Sequence, residues 1–339
     1  MPRRLGQRMA SQHGPAMVSL PAMSVVVITP DRYDTVGTVL RHLKAQSIKR
    51  QLEVVIVAPT TDAIPLDAQE LQGFHDVQVV PFASILSSTA AARVAGVRAA
   101  RAPVVAFVED HSFPQPGWAE ALVAAYREPW AAVGPAVGNA NPDSAISWAN
   151  LLIEYAPWLD PKVPEVAEHL PGHNSSYRRE LLMEYGDALE PMLESESILH
   201  WDLRARGFQL RLEPAARTLH MNYSTAPASM RLRFHGGRIF AAARARSWPI
   251  TRRLAYGAAA PLIPAVRLRR ILAQVRGRHR ATLPRNTFPA LLMLLACDAA
   301  GEMAGYFLGV GREAERAGKF EFHANRQRPA SKRYEPAGS

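Results

Sequence analysis

The chain has 339 residues, of which 48% are hydrophobic, so it can form one large domain with a sizeable core and an additional segment. Its single cysteine, Cys297, excludes an internal disulfide and is typical of a reducing compartment. The formal net charge is +10, and the stretch from Arg231 to Arg285 contains fourteen arginines and no Asp or Glu. Such a block either needs an anionic partner or forms a solvated basic face. The sequence has no helix-turn-helix, zinc-finger or RNA-recognition signature, which argues against nucleic acid as the partner.

The first part of the chain alternates between predicted strands and helices. Residues 1–22 begin basic but contain no continuous apolar run, so we predict a disordered tail rather than a signal peptide. The apolar spacing then predicts strands at 24–29, 52–57, 77–80 and 104–108, and helices at 34–46, 87–100 and 116–126. This alternation predicts an α/β fold with a mostly parallel central sheet. No Gly-x-Gly-x-x-Gly follows the first strand, which argues against a dinucleotide-binding fold.

Three polar residues, Glu109, Asp110 and His111, follow the buried strand at 104–108. Ligands of open α/β sheets bind outside the carboxyl ends of the strands. Two carboxylates and an imidazole suit a divalent cation such as Mn²⁺ or Mg²⁺. From these residues alone, two interpretations fit equally well: a cation site, or a polar strand end that caps the next helix.

The pattern becomes less regular after this point. Residues 133–170 combine Asn and Pro with large aromatic side chains, and we interpret them as a packed loop, with a substrate-facing flap as the alternative. A helix is predicted at 193–206, and its first turn contains Glu196, which either favours the helix N-terminus or serves as a general base. A strand at 208–212 leads to His220, and a lone histidine is usually structural.

The C-terminal part has a different character. Residues 230–246 and 262–275 alternate Arg with apolar residues, which predicts basic amphipathic helices. Residues 288–309 are strongly apolar, but Asp298 and Glu302 interrupt them. Because an acidic side chain at mid-membrane costs about 2.5–3.5 kcal/mol, the two acids argue against a membrane span. We predict instead an interfacial helix or buried hairpin, held to anionic lipid by its basic neighbours.

The order of these segments resembles the family 2 glycosyltransferases, which are inverting enzymes with the GT-A fold. The resemblance covers about residues 22–220, and Glu109-Asp110-His111 stands where the family has Asp-x-Asp. Ala92-Arg93-Val94-Ala95-Gly96 is similar to the family's Ala-Arg-Asn-x-Gly helix. The remaining matching segments are 25–32 with Gln46, 53–57, 116–118, 172–174, 177–179, Glu196, and Pro214 with His220.

The resemblance implies a nucleotide-diphospho-sugar donor and a divalent cation, Mn²⁺ or Mg²⁺, as cofactor. It assigns Glu196 as the catalytic base that takes the proton from the acceptor hydroxyl. The implied metal ligands are Glu109, His111 and His220. The implied donor-binding residues are Thr29, Asp31, Arg32, Arg93, Asp110 and Asn174.

Together with the basic C-terminal part, the resemblance implies a bacterial, membrane-associated enzyme of cell-envelope polysaccharide synthesis. It would lie in the cytoplasm at the inner face of the cytoplasmic membrane and use a lipid-linked or glycan acceptor. The predicted organisation is a disordered tail at 1–22, a GT-A domain at 23–225, a helical membrane-associating region at 226–311 and a disordered tail at 312–339.

Two departures from the family pattern leave an alternative. Residues 58–61 are Ala-Pro-Thr-Thr, whereas the family usually has Asp-Asp-Gly-Ser there, and Asp-x-Asp has become Glu-x-His. The alternative is a catalytically impaired nucleotide-sugar-binding protein of an envelope-assembly complex.

Overall fold

A computed structural model describes residues 20–29, 33–64, 71–85, 88–159, 161, 163–275 and 283–311. The predicted tails, apart from residues 20–22, lie outside these ranges, and so do the predicted donor contacts Asp31 and Arg32.

Within these ranges the strands all lie before residue 221, whereas helices occur along the whole chain. The strands are β1 (Met23–Ile28), β2 (Leu52–Ala58), β3 (Asp76–Pro81), β4 (Val104–Glu109), β5 (Ser112–Pro114), β6 (Ala132–Asn139), β7 (Glu165–Ala167), β8 (Ser176–Arg178) and β9 (Leu210–His220). The helices are α1 (Tyr33–Lys44), α2 (Thr89–Ala99), α3 (Trp118–Ala125), α4 (Ala145–Tyr155), α5 (Arg179–Glu184), α6 (Leu189–Leu193), α7 (Glu196–Ala205), α8 (Ala226–Arg244), α9 (Ile250–Ala259), α10 (Ile263–Gln274) and α11 (Thr287–Leu308).

In the part of the chain that the structure describes, the strands form one sheet in the order β3-β2-β1-β4-β8-β6-β9-β5, and β7 pairs with β9. The part from β3 to β4 is parallel, whereas β8 runs antiparallel to both β4 and β6. Beyond β8, β6 and β9 are parallel, and β5 and β7 are antiparallel to β9. The predicted α/β fold is confirmed; the sheet is mixed, with parallel pairing between its longer strands and short antiparallel pairings at β5, β7 and β8.

Within the parallel part, β1, β2 and β4 are rich in β-branched residues and buried on both faces, as expected for strands covered by helices on each side. Val25 and Val27 of β1 pack in the same core as α1 and α3, while Val26 faces α2. A Cβ on Gly96 of α2 would collide with Val26, so this glycine allows the helix to pack closely on the strand. The carboxyl ends of β1 and β4 therefore open side by side at one edge of the sheet.

The interpretation of 133–170 as a packed loop is wrong, because this stretch contains β6, α4 and β7. Gly134 and Gly138 deprive β6 of the side chains that would show an alternating pattern, and Pro135 lies at an irregularity in its pairing with β9. Helix α4 begins after Ser144, whose hydroxyl accepts a hydrogen bond from the first turn.

The C-terminal helices are packed closely on one another and on the rest of the protein. At Gly237 of α8 and at Gly301 and Gly305 of α11, a Cβ would collide with the backbone of the facing helix. On another side, Leu291 and Leu294 of α11 share a buried cluster with α4. The helical region is therefore joined to the sheet through α4.

Helix α11 is long and apolar enough to cross a membrane by length and composition, and half of its most apolar stretch is buried inside the protein. Asp298 and Glu302, which interrupt that stretch, are both buried. Each forms an ion pair with Arg267 of α10, at 3.9 Å in the case of Glu302. The two buried carboxylates thus find their ion-pair partner within the helical region.

Candidate active site

The end of β4 and the end of β9 bring an acid and two histidines together. Glu109 is the last residue of β4, His111 follows it, and His220 ends β9. The pairing of Ser112 on β5 with His220 on β9 places the two imidazoles edge to face, with ring centroids 4.8 Å apart. One potential ligand atom from each of the three residues lies within 4.8 Å of the others.

Hydrogen bonds fix the orientation of both imidazoles. Nδ1 of His111 lies 2.8 Å from a carboxylate oxygen of Asp110, and Nδ1 of His220 lies 2.8 Å from the amide oxygen of Asn222. With a cation bound, the acceptor at Nδ1 would keep the proton on that nitrogen and leave the lone pair of Nε2 for the metal. The two Nε2 atoms lie 3.7 and 3.2 Å from the carboxylate of Glu109. The donor set of this cluster therefore fits a divalent cation.

Glu109 is held ionised and in a fixed orientation. Burial acts to raise the pKa of Glu109, but the imidazoles of His111 and His220 outweigh it and hold the pKa well below its usual range. Its Oε2 accepts hydrogen bonds from the hydroxyl of Tyr155 at 3.1 Å and from the amide of Asn174 at 2.8 Å. The side chain of Asn174, an expected donor contact, is therefore directed at Glu109.

Glu196 is the first residue of α7 and is buried. It forms an ion pair with Arg93 of α2 and lies 3.2 Å from Nε2 of His173. A Cβ on Gly172 would collide with the side chain of Glu196, so only glycine leaves room for the carboxylate there. Burial acts to raise the pKa of Glu196, but His173 and Arg93 outweigh it and lower the pKa to about 2. Glu196 is consequently ionised at neutral pH.

His173 connects these two groups. Its Nδ1 lies 3.5 Å from Glu109 and 2.7 Å from the guanidinium of Arg93, while its Nε2 faces Glu196. Desolvation and Arg93 act to lower the pKa of His173, but the carboxylates of Glu196 and Glu109 outweigh them and raise it to about 10. His173 therefore lies between the cation-binding cluster and the carboxylate at position 196 and contacts both.

Two cavities meet at Glu109, His111 and His173. The smaller, of about 50 Å³, lies at the carboxyl ends of β1 and β4 and is also lined by Thr89 and Arg93. The larger, of about 290 Å³, extends from Glu109 past Glu196 to α4 and α8. The cluster and Glu196 therefore face one cavity. Thr29, next to the smaller cavity, is buried, and its N–H donates to the main-chain oxygen of Val57.

Residues 24–186 match the model of the family described as Glycosyl transferase family 2. The matched stretch has 163 of the 339 residues, so just under half of the chain is similar to the family 2 glycosyltransferases. No curated protein matches the sequence significantly. Among solved structures, the chain is similar to one described as GalNAc-T7 with UDP, GalNAc and Mn²⁺, with a TM-score of 0.44 and 15% identity. That match covers 59% of this chain and 43% of the other, so it spans less than half of the length of that protein.

The match to the glycosyltransferase family ends before Glu196 and His220, although both line the larger cavity. The three predicted metal ligands lie together. Arg93, which was expected to contact the donor, forms an ion pair with Glu196. Sequence reasoning gave no role to His173, Tyr155 or Asn222. For His173 a signal existed, because it lies between Gly172 and Asn174 in a segment that matches the glycosyltransferase pattern.

Proposed function

We propose that this protein is an inverting glycosyltransferase that moves a sugar from a nucleotide-diphospho-sugar to an acceptor hydroxyl. The observation that carries the proposal is the single cavity shared by the Glu109, His111 and His220 cluster and by Glu196. An inverting displacement needs leaving-group stabilisation on one side of the sugar and a base on the other. The two groups face one space, separated by His173, which supports this arrangement.

Each group has a distinct part in the proposed reaction. A divalent cation held by Glu109, His111 and His220 would neutralise charge on the departing diphosphate. Asp110 and Asn222 would hold the two imidazoles in their ligating orientation.

Glu196 would accept the proton of the acceptor hydroxyl. At the same time, the hydroxyl oxygen would bond to the anomeric carbon, and the bond between that carbon and the diphosphate would break. Because its pKa is about 2, Glu196 is ionised and ready to accept a proton, but it is weakly basic while Arg93 and His173 surround it. We assign Arg93 and His173 to positioning this carboxylate.

The donor nucleotide would lie at the smaller cavity, where β1 and β4 end. This is the usual ligand position in open α/β sheets. Thr29 directly follows β1 at that edge, and Asp31 and Arg32 come two and three residues later in the sequence; these are the residues that we propose for nucleotide contact.

The helical region would bind the surface of an anionic membrane and so present the site to a lipid-linked or glycan acceptor of the bacterial cell envelope, at the cytoplasmic face. Large apolar side chains are about half exposed or more along α9, the turn after it and α10: Ile250, Leu254, Leu262 and Val266. Exposed arginines accompany them, namely Arg252, Arg269 and Arg270. Apolar side chains interspersed with cations suit an interfacial helix on anionic lipid.

Two experiments test the proposal. Thermal unfolding with a panel of UDP-, GDP- and dTDP-sugars, with and without Mn²⁺, should show stabilisation by one donor that requires the cation, and that donor should be hydrolysed or transferred. Binding without turnover would favour the alternative of an impaired nucleotide-sugar-binding protein, and the absence of both would reject the proposal.

The membrane part is tested by co-sedimentation with phosphatidylcholine vesicles that contain or lack phosphatidylglycerol. Wild-type protein should bind only the anionic vesicles, and the Leu254→Glu/Val266→Glu variant should not bind. Val166→Glu changes an exposed apolar residue on β7, outside the helical region, and serves as the control. If the double variant binds the vesicles as well as the control does, this surface does not bind the membrane.

A further inference from the structure

The wall of the larger cavity that lies opposite the sheet is built by α4 and α8. Asn150 and Glu154 of α4 and Leu232 and Arg233 of α8 line it, and Trp158, just beyond α4, lines it as well. Helix α8 belongs to the region that the sequence predicts to bind membrane. This region therefore also forms part of the space that faces Glu109 and Glu196.

Arg233 and Glu154 form an ion pair on this wall. The guanidinium of Arg233 is almost fully buried, and it also donates from Nε to the amide oxygen of Asn150 at 3.0 Å. The amide of Asn150 in turn donates to the hydroxyl of Ser229 at 2.7 Å, which fixes its orientation. Burying an ion pair seldom stabilises a protein more than apolar residues of the same size would. Its position on a cavity wall therefore points to a ligand.

The charge of the cavity indicates which ligand class fits. Glu154 pairs with Arg233 on this wall, and His173 faces both Glu109 and Glu196, so each of these two cations already has a carboxylate partner. A phosphate group at this wall would have to compete with Glu154 for Arg233. A neutral, hydroxyl-rich molecule would not, and both partners of the pair have further hydrogen-bonding capacity, since a guanidinium carries five N–H donors and a carboxylate accepts several hydrogen bonds.

The aromatic side chains fit the same class. Trp158 is partly exposed to the cavity, and its indole N–H donates to the main-chain oxygen of His169 at 3.0 Å, which fixes the ring. Tyr155 lies edge to face with it, with ring centroids 6.3 Å apart. A fixed aromatic ring offers an apolar surface to the C–H groups of a sugar ring. The volume of about 290 Å³ is near the lower end for ligand pockets, which suits a small ligand.

We infer that this cavity is the acceptor subsite and that Glu154 and Arg233 recognise the hydroxyl groups of an uncharged sugar residue at the end of the acceptor. Helix α8 is on this view a part of the active site as well as of the membrane-binding region. The inference rests on the proposed function, because it assumes that a sugar accepts the transferred group.

Saturation-transfer NMR of the full chain tests this assignment, with methyl glycosides of the common hexoses as probes and glucose 1-phosphate as the charged comparison. Wild-type protein should transfer saturation to at least one methyl glycoside and not to glucose 1-phosphate. In Arg233→Gln and Glu154→Gln the signal should fall about tenfold, the effect of losing one hydrogen bond to a ligand. Arg231→Gln changes an exposed arginine on the same helix and should leave the signal unchanged.

Loss of one charge also leaves its partner buried and unpaired, so the double variant Glu154→Gln/Arg233→Gln is measured as well, because it retains neither charge. Its thermal midpoint and its stabilisation by a sugar nucleotide with Mn²⁺ report on folding and on the donor site independently of the acceptor. Signals in this variant that match wild type would overturn the assignment. So would the absence of signal from every glycoside with wild type, or a stronger signal from glucose 1-phosphate. If wild-type protein binds no sugar nucleotide, the proposed function itself is refuted.

Discussion

Replacement of Glu196 by glutamine should impair both glycosyl transfer and stability. The side chain is buried, and its two charged neighbours, Arg93 and His173, are in direct contact with its carboxylate. Glutamine keeps the shape of the side chain but can neither carry the negative charge nor accept a proton. If Glu196 is the base, transfer should fall by about 10²–10⁴, the usual contribution of general-base catalysis.

The effect on stability follows from the pKa. The pKa of Glu196 is lowered from 4.5 to about 2, and one pKa unit corresponds to about 1.4 kcal/mol, so the ionised form is favoured by about 3 kcal/mol. Because the folded-state pKa is lowered, this contribution is present in full above about pH 4.5 and is lost as the pH falls through about 2. Glu196→Gln should therefore lower the free energy of unfolding at pH 7 by about 3 kcal/mol. The variant should also lack the share of the acid destabilisation below pH 4.5 that protonation of Glu196 causes in wild type.

The measurement is urea denaturation at pH 7 and pH 3 for wild type, Glu196→Gln, Arg93→Met and the double variant. Breaking a buried ion pair from either side leaves one unpaired charge, which costs about 3–5 kcal/mol, whereas the double variant has none. The double variant should therefore be more stable than the sum of the two single effects predicts. Donor binding, followed by thermal stabilisation with sugar nucleotide and Mn²⁺, should persist in Glu196→Gln.

Two outcomes would refute this reasoning. Near wild-type turnover in Glu196→Gln would remove this carboxylate from the reaction. Additive losses of stability in the double variant would show that Arg93 and Glu196 are not energetically coupled, in spite of their contact.

The remaining predictions concern the cation site, the histidine between the carboxylates and the packing of the C-terminal helices. Mn²⁺ at about 100 times its dissociation constant should raise the free energy of unfolding by about 2.7 kcal/mol. His220→Ala should lose this effect, and EDTA should abolish it in wild type; an equal gain in the variant would exclude His220 as a ligand. Because the pKa of His173 is raised to about 10, its contribution to stability is present below pH 6.5 and declines as the pH rises through 10, so His173→Gln should show a flatter decline over that window in denaturation experiments. Gly237→Ala should lower the melting temperature, because its Cβ would collide with the backbone at Asp298, whereas the adjacent Gly236→Ala meets nothing and should gain up to about 1 kcal/mol of helix propensity. Equal melting temperatures for the two glycine variants would contradict the close helix packing.

Local sequence patterns were sufficient for the parallel part of the sheet. Runs such as Val25–Val27 at β1 specify buried strands because every side chain in them is apolar and β-branched, whichever neighbour it meets. The polar end of β4 at Glu109 was visible for the same reason, since a buried strand cannot continue through charged residues. β6 was missed because Gly134, Pro135 and Gly138 carry no such pattern, and its strand conformation depends on pairing with β8 and β9.

The sequence by itself determined the strand ends at which a ligand can bind and the residue types found there. Only the tertiary structure decided which of these residues meet: His220 reaches Glu109 through the pairing of β5 with β9, and His173 and Arg93 reach Glu196 across the sheet edge. It also decided that Asp298 faces Arg267 and that Arg233 faces the cavity. The physical reason is that periodicity and capping act over a few neighbouring residues, whereas these contacts join residues far apart in the chain and arise only when helices and strands pack.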